Sequence, residues 1–135
     1  MEYSIQEAAK KVSLKTYTLR YYEKAGILPP VERDTNGNRL FFDNDIEWIN
    51  LIRCLRNTGM PISIIKDYVD LFLKGDETIS SRRQIMFGQQ QSIERKIAEL
   101  QGYLEVIQSK VKHYDDLISN RQSEGNVSTK INCSK

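Results

Sequence analysis

Cysteine is scarce in this chain: Cys54 and Cys133 are the only two in 135 residues, and they stand far apart. No Cys-x-x-Cys pair exists and no cysteine clusters with the single histidine, His113, so a thiolate zinc site has nothing to build on. In a reducing compartment a disulfide between two such distant cysteines is not expected. Long apolar runs are missing too. No stretch is long enough to span a bilayer and no apolar signal core follows Met1, which predicts a cytoplasmic protein with no membrane partner. A phosphate-cradling glycine loop and a nucleophile–base pair are also absent, so an enzyme is the weakest reading, and neither catalytic residues nor cofactor are expected. An excess of one charge sign is missing as well. Lys and Arg number 20 against 18 Asp and Glu, a net charge of +2, which by itself does not announce nucleic acid. What is present is 28% charged and only 39% hydrophobic residues, a balance that suits long exposed helices.

The charge is uneven along the chain. Between Lys10 and Arg39 the bases are Lys10, Lys11, Lys15, Arg20, Lys24, Arg33 and Arg39, against the acids Glu23, Glu32 and Asp34. That segment carries the positive field. It also reads as a helix-turn-helix. Ile5, Ala8, Ala9 and Val12 recur at helical spacing, with Ser4 and Glu7 placed for a capping box. Lys11-Val12-Ser13-Leu14-Lys15 allows one tight turn. In the second helix Leu19 and Tyr22 face inward, leaving Thr16, Tyr17, Arg20, Tyr21 and Lys24 on one outer face. Guanidinium, phenol and hydroxyl groups on one exposed helix face suit a major groove, where Arg reads guanine and Tyr, Thr and Lys hold phosphates. Lys15 is a poor N-cap, so Ser13 or Thr16 is expected to cap this helix.

Pro29-Pro30 closes the unit. In the stretch Val31 to Phe42, Asn36-Gly37 is a strong hairpin signal, because both residues tolerate positive φ. Arg33 and Arg39 fall near the two arms and Asn38 near the tip, all three placed to meet DNA backbone. Asp43 opens a further helix, with Asp45 in its first turn. Ile46, Ile49, Ile52 (or Leu51) and Leu55 point inward, and Trp48 is assigned to core or a helix junction. Gly59 is a left-handed C-cap, and Pro61 fits the first position of a helix marked by Ile64, Ile65, Tyr68, Leu71 and Phe72. Lys74 to Thr78 is a linker.

The longest regular pattern follows. Ile93, Ile97, Leu100, Leu104, Ile107, Val111, Tyr114 and Ile118 alternate spacings of four and three, a heptad seam that Met86 extends backward through Gln90. From 78 to 119 this helix would run roughly 60 Å at about 1.5 Å per residue. Such a stripe needs a partner, and the simplest is a second copy of the chain. The seam leaves parallel and antiparallel pairing open. Residues 120–135 are polar and read as a disordered tail. The domains are thus 1–74, 78–119 and the tail.

Thr18-Leu19-Arg20-Tyr21-Tyr22-Glu23, then Gly26-Ile27-Leu28, resembles the recognition-helix signature of the MerR family of bacterial transcription regulators. The resemblance extends over most of the chain. It implies a mainly α fold: a winged helix-turn-helix with a small β-hairpin wing, then a dimerisation helix in an antiparallel coiled coil. The Arg33, Gly37, Arg39, Phe41 series resembles the family's first wing, with Phe41 where many relatives carry Tyr. The helix pair after it resembles the second. The partners implied are double-stranded promoter DNA, a second copy, and RNA polymerase at a promoter whose overlong spacer the bound dimer distorts. Relatives often carry a sensor beyond the coiled coil or a cysteine pair near its end. Neither is seen here, so metal sensing is not expected. Cys54-Leu55-Arg56-Asn57-Thr58-Gly59-Met60-Pro61 is similar to the NmlR-like subgroup, associated with aldehyde and thiol stress. Two readings of Cys54 stay open: a sensor thiol between Arg53 and Arg56, or a buried, inert packing residue. A non-covalent inducer, or none, is the alternative regulation. A coiled-coil module that binds protein is the rival function.

Overall fold

The computed structural model describes residues 1–123. Contacts divide it into a first unit, Met1–Gln90, and a second that begins at Gln91.

The first unit starts with a two-residue strand, β1 (Glu2–Tyr3), which the sequence did not announce. Ser4 then caps α1 (Ile5–Val12) through the reciprocal bonds of a capping box: Glu7 N–H donates to Ser4 Oγ, and Ser4 N–H donates to Glu7 Oε1. Ile5, Ala8, Ala9 and Val12 are buried as the spacing predicts. At Ser13 the chain turns through a left-handed conformation, φ 56°. Leu14 N–H reaches back to Ala9 O at 3.0 Å to close the helix. α2 (Thr16–Lys24) follows at once. The expected cap is corrected here. Lys15 occupies the N-cap position without a side-chain bond, Ser13 serves the helix before, and Thr16 is already helical.

α2 and α3 (Asp43–Asn57) end alike. In α2, Gly26 (φ 76°) donates to Glu23 O, and Ile27 donates to Tyr22 O. In α3, Gly59 (φ 91°) donates to Arg56 O, and Met60 donates to Leu55 O. Each is a Schellman stop, with a glycine just past the helix and a buried apolar residue after it.

Between them, β2 (Glu32–Arg33) and β3 (Arg39–Phe42) form the wing, and β1 joins on the far side of β3. All pairs are antiparallel, with Arg33 opposite Arg39 and Tyr3 opposite Phe41. The turn differs from the expected one. Asp34 N–H bonds Asn38 O, and Gly37 N–H bonds Asp34 O, so three residues form the loop, and of these only Gly37 has positive φ, at 82°. Asp34 Oδ1 accepts the N–H of both Asn36 and Asn38, holding Asn36 at ordinary φ. Phe41 is fully buried, a core residue of the sheet.

The core gathers Leu19, Ile27, Phe41, Ile49, Ile52 and Ile65, all without exposed surface. Trp48 is buried at the junction of α3 and α4 (Ile62–Lys74), its ring centroid 4.8 Å from Phe72 and 5.8 Å from Tyr68. Ile46 and Leu51 are partly buried, while Ile49, Ile52 and Leu55 are fully so. Pro61 is the N-cap of α4, one place before the expected position. Ile65 and Val69 are the buried residues of that helix, whereas Ile64 and Phe72 lie partly open.

A 3₁₀ turn, Asp76–Thr78, leads into α5 (Ile79–Ser123). Thr78 Oγ1 lies 2.6 Å from Leu71 O and accepts from Arg82 Nε at 3.1 Å. Ile85 and Met86 are partly buried against the core, so Met86 packs on the first unit where the heptad pattern carried the seam backward.

In the second unit the chain is helical from 91 to 123, so Asn120 to Ser123 extend the helix instead of starting a tail. The rest of the expected tail, with Cys133, lies outside the described residues. Ile97, Leu100, Leu104, Ile107, Val111, Tyr114 and Ile118 are all about half exposed or more, and Ile93 is half-buried. Among the described residues no helix is long and apolar enough to cross a membrane.

Candidate nucleic-acid interface

Leu19 and Tyr22 anchor α2 to the core and thereby fix which face it shows. Burial pushes the Tyr22 phenol above its usual range, against the pull of Arg56 and Arg53. The opposite face carries the expected set. Tyr17 and Tyr21 are 64% and 48% exposed, and Arg20 and Lys24 are exposed beside them. Thr16 is half-buried, and its Oγ1 accepts a long 3.4 Å bond from Arg20 Nη1. Lys15 Nζ stands 5.7 Å over the Tyr17 ring.

The wing brings the remaining residues to this face. Tyr17, Arg20, Tyr21, Lys24, Arg33 and Arg39 line one concave surface of about 600 Å³, with Glu23 among them. Arg20, Arg33 and Arg39 also border a second cleft of about 510 Å³, together with Asn38 and the Ser4–Glu7 turn. Lys15 and Thr16 stand outside both, at the N-terminal end of α2. A concave wall of guanidinium, ammonium and phenol groups is suited to a phosphodiester backbone.

Glu23 is the residue that sequence reasoning undervalued. Its Oε1 accepts from Arg39 Nε at 2.6 Å and lies 3.6 Å from Arg33 Nη2, while Oε2 accepts the Val31 N–H at 3.4 Å. Arg33 Nη1 also donates to Gly37 O at 3.0 Å. These partners lie eight to sixteen positions away, and no local pattern pairs them.

Cys54 is exposed on α3 in the single chain. The flanking arginines are engaged elsewhere. Arg53 bonds Val12 O and, at 3.1 Å, Asn50 Oδ1; Arg56 bonds Met60 O at 3.2 Å. Among the described residues no three His, Cys, Asp or Glu side chains gather in a metal-binding group.

Residues 3–71 match the family described as MerR HTH family regulatory protein, and residues 46–110 match MerR, DNA binding. An uncharacterized HTH-type transcriptional regulator of Haemophilus influenzae is 41% identical over 114 residues, 84% of each chain. The HTH-type transcriptional regulator AdhR of Bacillus subtilis is 40% identical over 90 residues, 67% of this chain and 64% of that one. The crystal structure of HiNmlR, described as a MerR family regulator lacking the sensor domain and bound to promoter DNA, superposes with a TM-score of 0.80 at 39% identity, over 88% of this chain and 94% of that one. With the signature of α2, the wing beside it and these matches over most of its length, the chain belongs to the MerR family of helix-turn-helix transcription regulators.

Proposed function

We propose that this chain binds a pseudo-palindromic promoter site as a homodimer and controls transcription by distorting the promoter spacer, so that RNA polymerase engages both of its elements. The observation that carries the reading is the shared concave surface of α2 and the wing. Thr16, Tyr17, Arg20 and Tyr21 meet bases or nearby phosphates, and Lys15, Lys24, Arg33, Asn38 and Arg39 hold the backbone. The DNA complex of HiNmlR supports the partner. Pairing is supported by the seam, and its antiparallel sense by the membership of the MerR family alone. From Ile97 to Ile118 the apolar residues of the seam lie about half exposed or more on a single chain, an arrangement that water penalises until a second copy covers it. Distortion of the spacer makes specificity partly a matter of DNA deformability.

Regulation is assigned to Cys54, whose exposed thiol is open to aldehydes and other electrophiles. A non-covalent inducer, or none, is the outcome if that thiol proves silent.

The test is a gel-shift titration of wild type and Arg20→Ala on operator and unrelated duplexes. Specific binding should fall by about tenfold to a hundredfold, the loss of one bidentate base contact, and non-specific binding much less. Equal loss on both duplexes would remove Arg20 from base reading. Affinity for duplex that ignores salt would favour the rival, a protein-binding module, because phosphate neutralisation has a steep salt signature.

A further inference from the structure

We infer that Glu23 is the positioning residue that sets the wing against the recognition helix, with Arg39 Nε as its partner in this joint. The inference rests on the DNA-binding reading above. One carboxylate reaches three points of the wing and its approach: Arg39 on β3, Arg33 on β2, and the Val31 N–H. Glu23 and Arg39 are both largely buried, at 18% and 22% side-chain exposure, whereas Arg33 is 47% exposed.

The geometry separates the two arginines. Arg39 Nε is held at 2.6 Å by Glu23, and drawing the whole side chain off would leave that carboxylate with its Arg33 contact at 3.6 Å. A carboxylate stripped of its nearest cation on a surface facing polyanionic DNA repels it. Arg33, by contrast, is loosely held by the carboxylate and keeps open surface. The sequence places Glu23 directly after buried Tyr22, so its backbone cannot shift without the core. Glu23 therefore fixes the separation of helix and wing in advance of binding.

A double-mutant cycle over a salt series on operator duplex tests this with wild type, Glu23→Ala, Arg39→Ala and the double variant. Each single change should weaken binding about tenfold, near 1.4 kcal/mol, and the double variant no more than either alone. Glu23→Ala should leave the slope of log K against log salt unchanged, since Glu23 itself touches no phosphate. Tighter binding by Glu23→Ala, additive losses, or a changed slope for Glu23→Ala would each overturn the inference. The Arg39 Nε–H resonance of wild-type protein gives a second measure that needs no variant. It should be protected from exchange both free and on DNA; an unprotected signal in the free protein, or release on binding, counts against the joint. Wild type that fails to bind duplex defeats the DNA-binding reading separately, and the free-protein resonance still reports on the pair.

Discussion

Gln89 Nε2 donates to Thr58 Oγ1 at 2.7 Å and to Thr58 O at 3.2 Å, so one amide near the start of α5 satisfies two acceptors at the end of α3. The same hydroxyl donates to Cys54 O at 2.8 Å. Gln89→Ala should lower the stability of the first unit by about 1–2 kcal/mol, the usual cost of a partly buried bond with its acceptors left behind. Urea unfolding with an unchanged m value checks it; an unaltered midpoint would show that water replaces the amide without cost.

Tyr3 Oη donates to Asp43 Oδ1 at 2.8 Å and joins β1 to the start of α3. This bond, chiefly, holds the Asp43 carboxyl below its ordinary range, with the N-terminal ammonium and Lys11 adding to it. It also raises the Tyr3 phenol. A carboxyl depressed in the folded state stabilises above its unfolded value, about 3.9, and loses that contribution as pH falls through the folded value. A raised phenol stabilises below about 10 and loses its contribution above the folded value. Asp43→Asn should therefore be less stable than wild type at neutral pH, and the gap should close in acid. Thermal midpoints of both proteins between pH 2 and 8 measure it, and a gap constant across that range would deny the linkage.

Leu104 is 48% exposed at the middle of the seam. Leu104→Glu should convert a dimer to monomer, because a carboxylate cannot enter an apolar seam without losing its hydration. Sedimentation at equal protein concentrations decides, and an intact dimer would move the interface elsewhere.

Cys54 should label quickly with a water-soluble thiol probe in folded protein, at a rate near that of denatured protein, in a Cys133→Ser background. Cys54→Ser is the control. Slow labelling would mean that a second copy or bound DNA shields the thiol, and the series with and without operator separates the two.

What was legible in the sequence is what depends on neighbours a few residues apart. The Ser4–Glu7 box, the burial of Leu19 and Tyr22, the Gly59 stop and the seam all follow from spacings of three, four or seven. The resemblance to the MerR family carried the wing and the DNA reading beyond that. What escaped depends on distant partners. β1 is two residues long and has no periodicity; it exists because β3, some 40 residues on, offers an edge. The hairpin was visible at Asn36-Gly37, but its turn type was not, because the Asp34 carboxylate decides it. Arg39 looked like a free cation because Glu23, its holder, lies sixteen residues earlier on another element.

Trp48 is the chain's sole tryptophan and is 9% exposed, with the rings of Tyr68 and Phe72 from α4 against it. The protein therefore carries its own optical probe. Its near-ultraviolet-excited emission comes from a single indole at one helix junction, so a shift to longer wavelength reports water reaching the α3–α4 contact and no other. Any inducer or promoter duplex that pries these two helices apart can be followed in real time without a label.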